Sequence, residues 1–324
     1  MRKILAILFV FLMVGCLQKT SSNTKESLPG NSTANIEDGK PKVSFTFDDG
    51  ITTDLATYKF EDWNRMILNS LEEEELTATF FVTGSNKLDT KGKYLLERWS
   101  SKGHAIANHT FTHPYFNSDK LTVDDFEREL LQTDSIISKY KTFTKLFRFP
   151  YLKEGNTEEK ISGFRNILKK YGYKNGSVTI DASDWYVNSE LIACIQKEGV
   201  NSLKIQKYKA FYLDHILERA TYYENLAFKL TSRHINHTLL LHHNLTSALF
   251  LKDLTQQFKA EGWELVNSDE AFKDDIYEHV PKSIPAGESL IWAMAKETGK
   301  YDSILRYPAE DSRYEKPKMK KIGL

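Results

Sequence analysis

The sequence predicts an α/β fold on a mostly parallel sheet of about seven strands, closed as an α/β barrel or left open and doubly wound. Two observations predict it, and a third narrows the ligand. Short apolar runs alternate with helix-period stretches between residues 43 and 266, as in repeated strand–helix units. Polar clusters recur where those runs end, which is where α/β barrels carry their reactive groups. Neither a Gly-x-Gly-x-x-Gly fingerprint nor a P-loop follows any run, so nothing points to a nucleotide.

The strand-like runs cover residues 43–47, 78–83, 105–107, 146–149, 178–180, 238–241 and 264–266. The first, Val43-Ser44-Phe45-Thr46-Phe47, closes on the two carboxylates Asp48 and Asp49. Helix-like stretches fall between the runs, at residues 63–71, 94–102, 123–139, 157–171, 204–229 and 246–261. The acidic run 72–75 reads as a solvated helix end. Residues 186–236 form a long insertion holding Tyr208, Phe211, Tyr212, Tyr222 and Tyr223. Those aromatics could stack on sugar rings, but packing of the insertion's own helices is the simpler expectation. Beyond residue 273 the pattern changes. Pro281, Pro285 and Gly287 break the chain, one amphipathic helix with Leu290, Ile291 and Met294 follows, and the tail with Lys316, Lys318, Lys320 and Lys321 reads as solvated, with packing on the barrel or contact with an anionic surface as the alternatives.

Composition narrows the function. The 324 residues carry 44 basic and 44 acidic side chains, which argues against a nucleic-acid partner. The two cysteines, Cys16 and Cys194, exclude a disulfide framework; Cys194, among Leu191, Ile192 and Ile195, reads as buried and apolar. Arg2 and Lys3 precede an apolar stretch at 4–14 that ends in Met13-Val14-Gly15-Cys16, the pattern of an export signal closed by a lipidation site. The expected organisation is therefore a lipoprotein signal peptide (1–15), a polar tether (16–40), a catalytic domain (41–272) and a C-terminal extension with one short helix (273–324). Cys16 is the expected lipid-bearing residue of an exported, membrane-anchored protein of the cell envelope; plain secretion is the alternative.

The chemistry begins with Asp48 and Asp49. Two adjacent carboxylates are costly unless a cation sits beside them. About sixty residues on, His109-Thr110-Phe111-Thr112-His113 offers two imidazoles four positions apart. One carboxylate and two histidines suit a catalytic zinc with an open position for water, and the second carboxylate is left to act as a base. Further clusters follow later runs: Arg148-Phe149-Pro150-Tyr151, Asp181-Ala182-Ser183-Asp184-Trp185, and Leu239-Leu240-Leu241-His242-His243. Each alone is weak, since Asp-Asp-Gly is commonly a turn and a His after an apolar strand is commonly a core residue. Their ordered occurrence at strand ends carries the weight.

In that order the five clusters resemble the motifs of the polysaccharide deacetylases, the NodB-homology family of carbohydrate esterases, over roughly residues 41–270. The resemblance implies a distorted α/β barrel and a divalent metal, most often Zn2+. It implies Asp49, His109 and His113 as metal ligands, with Thr110 supporting the second His through a hydrogen bond. Asp48 would be the general base and Arg148 its ionic partner. His242 would be the general acid, with Asp184 or Asp181 keeping it charged. Tyr151, through its backbone N–H, would stabilise the oxyanion, and Trp185 would join it on the substrate side. The implied substrate is an acetylated polysaccharide of the envelope or an exported one. Two alternatives remain: an O-acetyl esterase acting on a polymer such as xylan, and an inactive carbohydrate-binding lipoprotein. The chain departs from the family pattern at Leu152-Lys153-Glu154, which separate the third motif from Gly155, and at His243, which reads as a second, structural imidazole.

Overall fold

Strand β1 (Lys42–Asp49) lies at the heart of the sheet. Val43, Phe45 and Phe47 enter the main hydrophobic core. Ser44, Thr46 and Asp48, equally buried, take the opposite face, because successive side chains of an extended chain alternate. There Ser44 and Thr46 donate to the carbonyls of His237 and Leu239 at 3.0 and 2.9 Å. Burial on both faces is the normal state of a parallel sheet covered by helices. The computed structural model describes residues 39–306, 308 and 312–324. The expected signal peptide, the lipidation residue Cys16 and nearly all of the tether lie outside the described residues.

On one side of β1 run β2 (Thr79–Val82), β3 (Ala105–Asn108), β4 (Phe143–Phe147) and β6 (Lys174–Asn175); on the other runs β7 (Asn236–His242). β8 (Glu264–Leu265) pairs with the start of β1, and every pairing in this sheet is parallel. The remaining strands, β5 (Lys153–Gly155) and β9 (Ala286–Gly287), form a separate antiparallel pair. The two edges of the main sheet are joined by a very short piece of chain. Asn175 pairs with Phe147, and Ile180 forms a lone bridge with Leu239. Gly176 donates to the Phe147 carbonyl at 2.7 Å, and the amides of Thr179 and Ile180 reach the Thr238 carbonyl at 3.2 and 3.1 Å. Residues 174–180 thus cross from one edge to the other and curl the sheet into a distorted half-barrel. The strand expected at 178–180 is reduced to one bridge, because a segment that must span the gap has no length left for a ladder.

The helices follow their apolar periodicity. In α1 (Phe60–Glu73) the buried Phe60, Trp63, Ile67, Leu68 and Leu71 make one stripe, which packs against α7 (Leu245–Ala260). α2 (Thr90–Ser101), α3 (Val123–Ile137) and α4 (Glu158–Lys170) begin at Asp89, Thr122 and Thr157, whose side chains accept from first-turn amides. The insertion 186–236 consists of α5 (Asp184–Glu198) and α6 (Lys204–Thr231). α5 was not expected, although its buried Val187, Leu191, Cys194 and Ile195 follow the helical period. Tyr208, Phe211, Tyr212 and Tyr223 are buried in the core, so these aromatics pack the insertion and do not face a ligand. After the short α8 (Ser268–Ala271), the C-terminal extension departs from expectation in two ways. Its described residues hold two α-helices, α9 (Leu290–Thr298) and α10 (Glu315–Lys321). Its lysine-rich tail also docks through the buried Glu315 and Met319, giving that helix an apolar anchor. Among the described residues, no helix is long and apolar enough to cross a membrane.

Candidate active site

Strand order places the chemistry. Because β4, β3, β2, β1 and β7 are neighbours and parallel, their C-terminal ends open on one mouth. There a cavity of about 520 Å³ is lined by Asp48, Asp49, His109, His113, Tyr151, Asp181, Trp185 and His242. Arg148, Asp184 and Thr110 are fully buried beside these groups. Backbone strain gathers here as well. Asp49, Thr110, His113, Tyr151 and Leu152 all have positive φ, between 55° and 73°. Such conformations cost free energy in non-glycine residues and persist where surrounding structure enforces them.

Asp49, His109 and His113 offer ligand atoms that all lie within 4.8 Å of one another. His109 Nε2 and His113 Nε2 stand 3.8 and 3.6 Å from Asp49 Oδ1. Ligands about 2.0–2.1 Å from a tetrahedral zinc are themselves roughly 3.4 Å apart, so the set fits such an ion with little movement. The histidines are also in the right protonation state. Burial pushes His109 down to about 3, with the neighbouring His113 adding to the shift and Asp49 opposing it. Burial likewise lowers His113 against the pull of Asp49 and Asp48. His109 Nδ1 lies 2.8 Å from the Arg148 carbonyl. A carbonyl can only accept, so Nδ1 carries the proton and Nε2 keeps the lone pair a metal requires. Thr110 supports His113 through its backbone: Thr110 Oγ1 accepts from the His113 amide at 3.1 Å.

Asp48 is held from behind. Arg148 Nη1 donates to Asp48 Oδ1 at 2.7 Å and to Thr46 Oγ1 at 2.8 Å, and Arg148 Nε donates to the Gly176 carbonyl at 2.8 Å. The guanidinium lies 3.8 Å from the centre of the Phe81 ring. Oδ1 is thereby committed, while Oδ2 lies 3.6 Å from His109 Nε2 on the cavity side. Gly176 is essential to this packing, since a Cβ there would sit 2.3 Å from Phe81 Cε1. Gly176→Ala is expected to lower stability by about 1–3 kcal/mol, as overpacking does, and to loosen Arg148; thermal unfolding measures the first effect. An unchanged melting temperature would show that Phe81 has room to move.

His242 is held from the opposite wall. Its Nδ1 donates to Asp184 Oδ1 at 2.6 Å, while Asp184 Oδ2 accepts from the His242 amide at 2.8 Å and from Asn244 Nδ2 at 3.0 Å. Burial disfavours the imidazolium, but Asp184, aided by Asp49 and Asp48, overcomes it and raises His242 to about 10. Of the two candidates, Asp184 makes this contact. Asp181 lines the cavity, and its carbonyl accepts from Arg219 Nε at 2.9 Å. Tyr151 sets its ring 4.6 Å from that of His113 and 5.6 Å from that of Tyr115. His243 is buried against Trp63 and Trp99, with Nε2 3.0 Å from Asn64 Oδ1, a core position away from the cavity.

Several supporting residues were not anticipated. Lys87 is buried under the Asp48–Gly50 turn and donates to the Gly50 carbonyl at 2.5 Å and to those of Asp49 and Thr83 at 3.3 Å. Burial pulls its ammonium down to about 7, against Asp49 and Asp89. Glu129 accepts from the amides of Phe111 and Thr112 at 2.8 and 2.6 Å, fixing the loop between the two histidines. Glu288, from the C-terminal extension, lines the cavity beside Lys153. None of these has a signature in local spacing, and apart from the Lys87–Thr83 bond each contact joins residues more than fifteen positions apart.

Residues 35–176 match the sequence profile of the family described as polysaccharide deacetylase. A peptidoglycan-N-acetylglucosamine deacetylase of Bacillus cereus is 33% identical over 113 residues, 35% of this chain and 37% of that protein. A peptidoglycan-N-acetylmuramic acid deacetylase of Bacillus subtilis is 27% identical over 180 residues, 55% and 56% of the two chains. This chain thus spans between about a third and about half of the length of these two relatives. In fold it is similar to a chitin deacetylase of Colletotrichum lindemuthianum, with a TM-score of 0.50 at 20% identity, covering 72% of this chain and 88% of the other. The matched profile holds the first three motifs, and the half-barrel brings the remaining two to the same cavity: over residues 35–176 the chain is similar to the polysaccharide deacetylases.

Proposed function

We propose that this protein is a metal-dependent hydrolase that removes acetyl groups from N-acetylated sugars of a cell-envelope or exported polysaccharide. One observation carries the reading: a three-ligand cluster flanked, in one cavity, by a carboxylate locked to Arg148 and an imidazole locked to Asp184. Asp49, His109 and His113 would hold the cation, and zinc suits their donor types. When bound, zinc supplies Lewis acidity to the attacking water and to the acetyl carbonyl.

The remaining chemistry belongs to the chain. Asp48 Oδ2 takes a proton from the attacking water, while Arg148 holds the carboxylate in place through Oδ1. As water oxygen adds to the acetyl carbon, the Tyr151 backbone N–H donates to the oxyanion. His242, protonated by virtue of Asp184, gives its proton to the sugar nitrogen as the C–N bond breaks. Acetate and a free amine leave. Coupled assays of acetate and of free amine, run on acetylated glycans with and without zinc, test this reading. Equal release of both, dependent on zinc, is expected; acetate without amine would assign an O-acetyl esterase instead.

The pattern of residues 1–40 supports a setting at the membrane. Cys16 would carry the lipid, and metabolic labelling with a fatty acid should mark the protein unless Cys16 is replaced by Ser. Labelling that survives Cys16→Ser would refute the anchor.

A further inference from the structure

The loop that follows β2 carries none of the candidate metal ligands, yet it is bonded to both segments that do. Asp49 closes β1 at φ 73°, a left-handed conformation that costs free energy in a residue with a Cβ. Its carbonyl accepts from the Thr83 amide at 3.2 Å, from Thr83 Oγ1 at 3.0 Å and from Lys87 Nζ at 3.3 Å. Lys87 Nζ also donates to the Gly50 carbonyl at 2.5 Å. From the same loop, the Gly84 amide donates to the Thr110 carbonyl at 3.0 Å and the Ser85 amide to the Phe111 carbonyl at 2.9 Å. Both of those carbonyls lie between His109 and His113. Residues 83–87 thus tie the turn that bears Asp49 to the loop that bears the two histidines.

Lys87 is the costly member of this arrangement. It is 1% exposed. Its described acceptors are the carbonyls of Asp49, Gly50 and Thr83 and the side-chain oxygen of Asn86, all of them neutral amide oxygens. An ammonium buried among neutral oxygens is poorly compensated. The packing is also close: a Cβ on Gly50 would lie 3.1 and 3.2 Å from Lys87 Cε and Nζ. We infer that Lys87 is a positioning residue for the metal site, which, together with Thr83, holds Asp49 in its left-handed conformation and so sets the affinity of the Asp49-His109-His113 cluster for its cation. The inference rests on the metal-site part of the proposed function.

Electrostatics and positioning predict opposite signs here, which makes the role measurable. The Lys87 ammonium repels a dication bound nearby, so charge removal alone tightens metal binding. Loss of the grip on Asp49 weakens it, because groups that orient a ligand typically contribute about 10–100-fold to metal affinity. Lys87→Met keeps the apolar stem and removes the donor. Thr83→Val removes one bond to the Asp49 carbonyl and leaves every charge in place.

The test is competition for zinc between the metal-free full chain and a chromophoric chelator, scored per folded molecule by circular dichroism. Lys87→Met should raise the zinc dissociation constant by about 10–100-fold, and Thr83→Val should raise it by less. The absorption bands of the cobalt-loaded protein should change in Lys87→Met, reporting altered ligand geometry. Should Lys87→Met not fold, Thr83→Val decides alone. A residue that only supports the fold would lower the melting temperature and leave the zinc dissociation constant of folded molecules unchanged. That result, or tighter zinc binding by Lys87→Met, would overturn the inference. Asp49→Ala judges the underlying reading separately. A parent protein that binds no zinc, or binds it as tightly with Asp49→Ala, refutes the metal site and the inference with it. A parent that binds zinc through Asp49, and whose Lys87→Met and Thr83→Val variants bind it equally well, refutes the inference alone.

Discussion

Replacement of Asp48 by Asn is expected to slow acetate release by about 10²–10⁴-fold, the usual contribution of a general base, while zinc content stays near one per chain. Asn keeps an acceptor for Arg148, whose Nη1 lies 2.7 Å from Asp48 Oδ1, but it has no basic oxygen for the attacking water. The Asp49-His109-His113 cluster is untouched. Stability should fall too. Arg148 is 1% exposed, and removing one partner of a buried ion pair costs about 3–5 kcal/mol. Rates must therefore be compared per folded, zinc-loaded molecule, with metal measured by atomic emission. Loss of zinc together with activity would make Asp48 a ligand and not a base.

The second large effect concerns His242. His242→Ala should lower the rate on an N-acetyl substrate by about 10²–10⁴-fold. It should matter far less on an activated acetyl ester, whose leaving group needs no proton. Asp184→Asn should act through the pH profile. His242 is raised from 6.5 to about 10, burial being outweighed by Asp184. For a group raised in the folded state, the added stability is complete below pH 6.5 and is lost as pH climbs towards 10. Wild-type protein should therefore lose thermal stability over that window, and Asp184→Asn should lose much less. The alkaline limb of its activity should move down by more than one pH unit. An unshifted limb, with a normal stability profile, would mean that some other group supplies the proton.

What the sequence makes legible follows from how local each contact is. The alternation of β1 and the stripe of α1 are written in short windows, so the α/β class and most elements can be read directly. The metal-ligand candidates can be read too, since Asp49 ends β1 and His109 follows β3, and these parallel strands, one on each side of β2, bring their ends to the same edge. The choice between Asp181 and Asp184 could not be made from spacing. It depends on where α5 starts, and that turn puts Asp184 against His242. Residues 178–180 mislead because they read as a strand but form part of a strap across two edges. Glu288 and Lys153 are 135 positions apart, and only the pairing of β5 with β9 makes them neighbours. Lys87 gives no sign that it will be buried beneath the Asp48–Gly50 turn.

The most direct test is stoichiometric acetate release from the zinc-loaded full chain across a panel of N-acetylated glycans, with the chelated protein alongside. The account predicts one free amine for every acetate, on at least one glycan, with activity lost on chelation and restored by zinc. A protein that binds one zinc through Asp49, His109 and His113 yet releases no acetate from any of them, or one whose release is indifferent to zinc, would contradict it.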